Sequence, residues 1–126
     1  MKRYKIGILG FLILFLVSFS FAFAETQVVS ATISSAPGAA GGWTSALAPM
    51  GGSGKGFLNI SVYGATWSAT VTLQRSFDSG VSWYDITTFT ANAQKALVDK
   101  EGGVRYRIGV KNAAYSSGSV ALRLSR

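Results

Sequence analysis

Five carboxylates hold whatever acid–base or metal chemistry this 126-residue chain could perform: Glu25, Asp78, Asp85, Asp99 and Glu101. Histidine and cysteine are both absent. That removes thiolate and imidazole nucleophiles, imidazole bases, Ser-His-Asp triads and zinc sites built on His or Cys. The carboxylates that remain have the spacing of turns. Asp78 and Asp85 flank a glycine-containing reversal, and Asp99 and Glu101 stand beside Gly102 and Gly103, where acids close turns rather than face each other across a glycosidic bond. A calcium ion would need six or more converging oxygens, and no loop here has that spacing. The run MGGSGKGF, residues 50–57, has the look of a phosphate-cradling loop. However, Pro49 stands where its first glycine belongs, and Gly56 replaces the Ser or Thr that would hold magnesium. It reads as a flexible loop with one lysine. No cofactor, metal or catalytic role is expected.

The most patterned stretch is SFDSGVSWYD, residues 76–85. Ser76, Asp78 and Gly80 stand at alternate positions and Trp83 follows three residues later. Ser and Asp side chains can accept hydrogen bonds from backbone amides two residues on, glycine takes the positive φ of a reversal, and a large ring can fold back to cover it. The expectation is a structural turn. The spacing SxDxGxxW is similar to the Asp-box, a hairpin motif of sialidase propellers and of other extracellular β-proteins, where its role is structural. A propeller would carry several copies, and this chain carries one.

Binding is the chemistry the remaining residues allow. Arg105, Arg107, Lys111 and Arg123 alternate with apolar residues near the C-terminus. If the two strands that carry them pair, they form one cationic patch suited to sulfate, phosphate or carboxylate groups. The alternative is a charged face that only solubilises a sheet and discourages edge pairing. Among the aromatic residues, Trp67 and Tyr106 fall on inward positions, whereas Trp43, Tyr63 and Tyr115 are candidates for stacking against a sugar.

The elements that must position these residues are strands. Val29, Ala31 and Ile33 alternate with polar residues, as do Leu58, Ile60 and Val62; Trp67, Ala69, Val71 and Leu73 do the same, and these last two runs read as a hairpin about Gly64-Ala65. Further strands are expected over 83–90, 104–111 and 120–125; 91–98 is ambiguous between a helical turn and a loop leading into a short strand. Residues 36–56 contain both prolines and read as a Gly/Pro-rich loop or weak edge strand anchored by Trp43 and Leu47. Seven to eight short strands separated by turn residues indicate an all-β fold, an antiparallel β-sandwich or jelly roll.

Residues 1–24 differ from the rest. Lys2, Arg3 and Lys5 precede an apolar run ending in Ala22-Phe23-Ala24, the pattern of a signal peptide cleaved before Glu25. Its alternative is an uncleaved N-terminal membrane anchor, the sole membrane contact expected. Residues 25–126 then form a single exported domain, periplasmic, extracellular or at the cell surface, that relies on core packing without disulfides. The formal net charge of the whole chain is +7. Without the three N-terminal cations the domain keeps a mild positive excess, suited to anionic polymers or an envelope surface, but it has no Lys/Arg cluster for nucleic acid.

Residues 70–125 resemble small β-sandwich structural proteins of tailed bacteriophages and prophages. The resemblance rests on Gln74-Arg75-Ser76-Phe77-Asp78, Trp83-Tyr84-Asp85, Tyr106-Arg107-Ile108-Gly109-Val110-Lys111 and Tyr115-Ser116-Ser117-Gly118. The chain differs from them in its export-type N-terminus. The resemblance implies a non-enzymatic module, virion-associated or prophage-derived, that assembles with itself or with a larger particle. An exported module for surface glycans, using the exposed aromatics and the basic sheet face, is the alternative.

Overall fold

The computed structural model describes residues 27–49, 56–99 and 101–126. The expected signal segment and Lys55 of the 50–57 run lie outside them. Eight strands follow one another: β1 (Val28–Ile33), β2 (Gly42–Trp43), β3 (Gly56–Tyr63), β4 (Trp67–Ser76), β5 (Tyr84–Phe89), β6 (Ala93–Asp99), β7 (Arg105–Gly118) and β8 (Val120–Ser125). They form two four-stranded antiparallel sheets, ordered β1-β8-β3-β6 and β2-β7-β4-β5. The expected all-β sandwich is the observed fold, and 91–98 resolves into a strand, β6.

The core lies between the sheets, where the alternating apolar residues of both meet. Leu58, Ile60 and Val62 of β3 and Leu122 and Leu124 of β8 face Val71 and Leu73 of β4 and Ile108 and Val110 of β7, and all are fully buried. Each such side chain contributes about 1.5–3 kcal/mol against leaving it in water. No cystine assists them.

The expected hairpin is not formed, and neither is the pairing on which the four-residue cationic patch depended. β3 and β4 lie in opposite sheets, so the hairpin about Gly64-Ala65 is instead a corner between sheets. Asn92 holds that corner: its Oδ1 accepts from Gly64 N at 2.9 Å and from Trp67 Nε1 at 2.8 Å, and its Nδ2 donates to the Gly64 carbonyl at 3.0 Å. β7 and β8 likewise separate at Ser119; β8 enters the other sheet between β1 and β3. The physical reason is the same in both cases. Period-two alternation specifies which face of a strand is buried, and two strands that bury their faces against one core can do so side by side or from opposite layers. Among the strands of the described residues, only β4 and β5 are joined as a hairpin; the other six connections cross between the sheets.

Candidate functional site

The outer face of the β2-β7-β4-β5 sheet carries the densest polar and aromatic arrangement among the described residues. It begins with Gly109 in the middle of β7. Its register partner is Trp43 of β2, and a Cβ at position 109 would fall 2.1 Å from the Gly42 carbonyl and 2.6 Å from the Trp43 ring. A strand glycine here admits close backbone approach, and the indole fills the space a side chain would have used. Trp43 is then steadied by its Nε1, which donates to the Ala40 carbonyl at 2.9 Å.

Arg107 is two residues from Gly109 on the same face, and its guanidinium lies between two indoles. Its Cζ is 4.2 Å from the Trp43 ring centroid and 4.3 Å from that of Trp83. Trp43 arrives from the β2 edge and Trp83 from the approach to β5, on the far side of β7 and β4. Each contact is a cation–π interaction. Burial pushes the Arg107 pKa below its ordinary value, but a guanidinium stays charged at any physiological pH.

A hydrogen-bonded row runs across the sheet from this arginine. Arg107 Nε donates to Gln74 Oε1 at 2.8 Å, Gln74 Nε2 donates to Asp85 Oδ1 at 2.7 Å, and Asp85 is ion-paired with Lys111 through its other oxygen. Lys111, and after it Gln74, hold the Asp85 carboxyl below its usual pKa. Gln74 is buried even though it points away from the core, because this layer of side chains lies over it.

The 76–85 turn delivers Trp83 to the stack. Ser76 Oγ donates to Asp78 Oδ1 at 2.8 Å and accepts from Gly80 N at 2.8 Å, while Ser82 N donates to Asp78 Oδ1 at 2.8 Å. The bonded amides lie four residues on, not two as expected. Gly80 takes φ of 90° and Ser79 of 60°. Trp83 folds back until its ring is 3.5 Å from where a Gly80 Cβ would sit. The Ser82 amide, and after it the Ser76 hydroxyl, lower the Asp78 pKa.

The structure thus brings Trp43, Arg107, Lys111 and Trp83 together and separates the other candidates. Arg105 shares the outer face of β7 and is half-buried. Arg123 does not join the cationic patch, because β8 belongs to the other sheet; it lies opposite Ser30 and Ser61, and its Nη1 donates to Ser125 Oγ at 3.0 Å. Tyr63 is exposed on that second sheet. Tyr115 is half-buried, with its hydroxyl donating to the Gly118 carbonyl at 2.7 Å. Gln74 and Asp85 were not singled out as contact residues by sequence; finding them requires the β4–β7 and β4–β5 registers, which place Gln74 beside both Arg107 and Asp85.

Asp99, expected in a turn, is instead buried at the end of β6 in an ion pair with Arg126 at 3.0 Å. It also accepts from the Tyr106 hydroxyl at 3.1 Å. Burial, and after it the Asp99 charge, push the Tyr106 pKa up to about 12.

A second surface feature lies where the β5 and β6 edges face each other. Phe77, Tyr84, Ile86 and Val98 are exposed there, beside an open cleft of about 430 Å³ lined by Arg75, Phe77, Asp78 and Tyr84.

No protein-family model matches the chain, and no curated protein matches it. Among solved structures it is similar to the crystal structure of Yersinia pseudotuberculosis-derived mitogen (YPM), at 16% identity with a TM-score of 0.50, covering 80% of this chain and 85% of that one. Similarity at that level of identity is a likeness of fold.

Proposed function

We propose that the chain is a non-catalytic, exported binding module that engages a surface polymer through the outer face of the β2-β7-β4-β5 sheet. The observation that carries this is the Trp43–Arg107–Trp83 stack: two tryptophans and an arginine kept at the surface of a sheet that already has a complete core on its other side. A face meant only for solubility needs charge, not indoles fixed by register and by a turn. The strand order, β1-β8-β3-β6 against β2-β7-β4-β5, supports a jelly-roll reading of the sandwich, an architecture of capsid and lectin domains alike, so the site rather than the fold decides between functions. Binding to an array of cell-surface glycans tests this. The expected result is binding that Trp43→Ala abolishes and Tyr63→Ala leaves intact; an array without a single bound glycan would sink the proposal.

A structural or assembly role, as the phage-type resemblance implies, has its own supporting observation. Among the described residues β5 and β6 are the outer strands of their sheets on the same side of the sandwich, flanked by exposed apolar residues, and such edges are templates for strand pairing. Light scattering that finds a stable oligomer, or mass spectrometry that finds the protein in purified particles, would favour this reading.

A further inference from the structure

Part of Arg107 is left unspent by the stack. Its faces are covered by the indoles of Trp43 and Trp83, and its Nε is committed to Gln74. Among the described residues neither terminal amino group has a hydrogen-bond partner, and neither is sealed from solvent. The guanidinium therefore presents its paired donors at the open edge of a slot with aromatic walls.

Building on the binding function proposed above, we propose that this slot takes the carboxylate of an acidic sugar, a uronate-type residue of an anionic polysaccharide. A carboxylate is flat and matches the arginine fork with two parallel hydrogen bonds in one plane. The indoles restrict water around those bonds, which strengthens them, and their exposed edges offer apolar contact to the sugar ring. Asp85, two strands from Arg107 across Gln74, and Lys111, four residues along β7, are each about half exposed and serve as acceptor and donor for ring hydroxyls. Since they neutralise each other, the positive charge of Arg107 and Arg105 on the same face is uncompensated and attracts the anion from a distance.

The three tryptophan indole N–H signals in a proton–nitrogen correlation spectrum provide the test. Trp67, bonded to Asn92 at the corner between sheets, is the internal reference. Oligogalacturonate, its methyl ester and polyglutamate are titrated into the protein and into Arg107→Lys, which keeps the charge and loses the fork. The expected result is saturable movement of the Trp43 and Trp83 signals with oligogalacturonate while Trp67 stays in place. Binding should be weaker by about ten- to a hundredfold for the methyl ester and for Arg107→Lys, the span for losing charge-assisted hydrogen bonds. Equal affinity for acid and ester would overturn the carboxylate slot and leave a glycan-binding face standing. Binding of polyglutamate as tightly as oligogalacturonate would also overturn it, in favour of an acidic peptide. No movement with either sugar would overturn the carboxylate slot, while the glycan array separately decides the binding function. Should Arg107→Lys fail to fold, the acid–ester comparison on the native protein still decides.

Discussion

Replacing Gly109 by alanine tests how the site is built. A methyl group there would stand 2.1 Å from the Gly42 carbonyl and 2.8 Å from the Trp43 Cα. Both are backbone atoms that no rotamer change can move aside. The two-residue strand β2 must therefore retreat, and Trp43 retreats with it from Arg107. Overpacking of this kind costs about 1–3 kcal/mol and an exposed cation–π contact adds about 0.5–1 kcal/mol, so the combined loss is about 2–4 kcal/mol. For a domain of this size that lowers the thermal midpoint by about 10–30 °C. The matched control is Gly38→Ala, where nothing lies within 4 Å of the new Cβ; its effect should stay within about 0.5 kcal/mol. Calorimetry on the two variants, with the Trp43 indole signal as a local readout, separates the outcomes. If both variants melt together and the Trp43 signal is unmoved, β2 does not rest against Gly109 and the proposed origin of the stack is wrong.

The remaining predictions concern the framework around that face. Asn92→Ala removes three hydrogen bonds from the corner between β3 and β4 and should cost about 1–3 kcal/mol in urea unfolding, the desolvation penalty of the groups left behind; an unchanged midpoint would show that the corner holds without it. Arg126→Met strips the partner from the buried Asp99 carboxylate and should cost about 3–5 kcal/mol, whereas the double variant with Asp99→Leu should recover most of the loss. In acid, stability should fall as pH drops below 3.8, because the Asp78 and Asp85 carboxyls titrate lower in the folded chain than in the unfolded one, and what they contribute above that pH is lost through their folded pKa values. In base the sign reverses: Tyr106 contributes fully below pH 10 and loses that contribution as pH rises toward about 12. Tyr106→Phe should flatten the alkaline limb alone, which a pH series of melting curves would reveal.

Which face of each strand is buried was legible in the sequence; which strand lies beside which was not. Leu58, Ile60 and Val62 point inward as their spacing requires, and so do Val71 and Leu73, yet nothing in the alternation tells a hairpin from a crossing. The candidate site shows the same division. Trp43 and Arg107 can each be chosen from the sequence, but their contact depends on the β2–β7 register, which pairs a loop residue with one some sixty-six positions away. Trp83 reads as the cover of its own turn because Gly80 is only three residues off, and it does meet that glycine; its second contact, with Arg107, is long-range. Asp99 stands beside Glu101-Gly102-Gly103 and has the composition of a turn. The signal that it is buried was its parity with Leu97 on β6, and its partner Arg126 comes from the far end of the chain.

The placement of β8 bears on how the chain can acquire its structure at all. β8 lies inside its sheet, paired along one side with β1, from Val28 opposite Ser125 to Ile33 opposite Val120, and along the other with β3. A nascent chain emerging from its N-terminus would therefore present β1 and β3 with no strand between them until β8 had been made. β3 and β6 can pair beforehand, but β1 cannot join its sheet until β8 is present, and completing the sheet waits on the closure of the long loop between β1 and β8. Rates in the millisecond-to-second range are expected for such non-local pairing. A sheet that closes last at its centre keeps β1 apart from its neighbours until β8 arrives, by its own strand order.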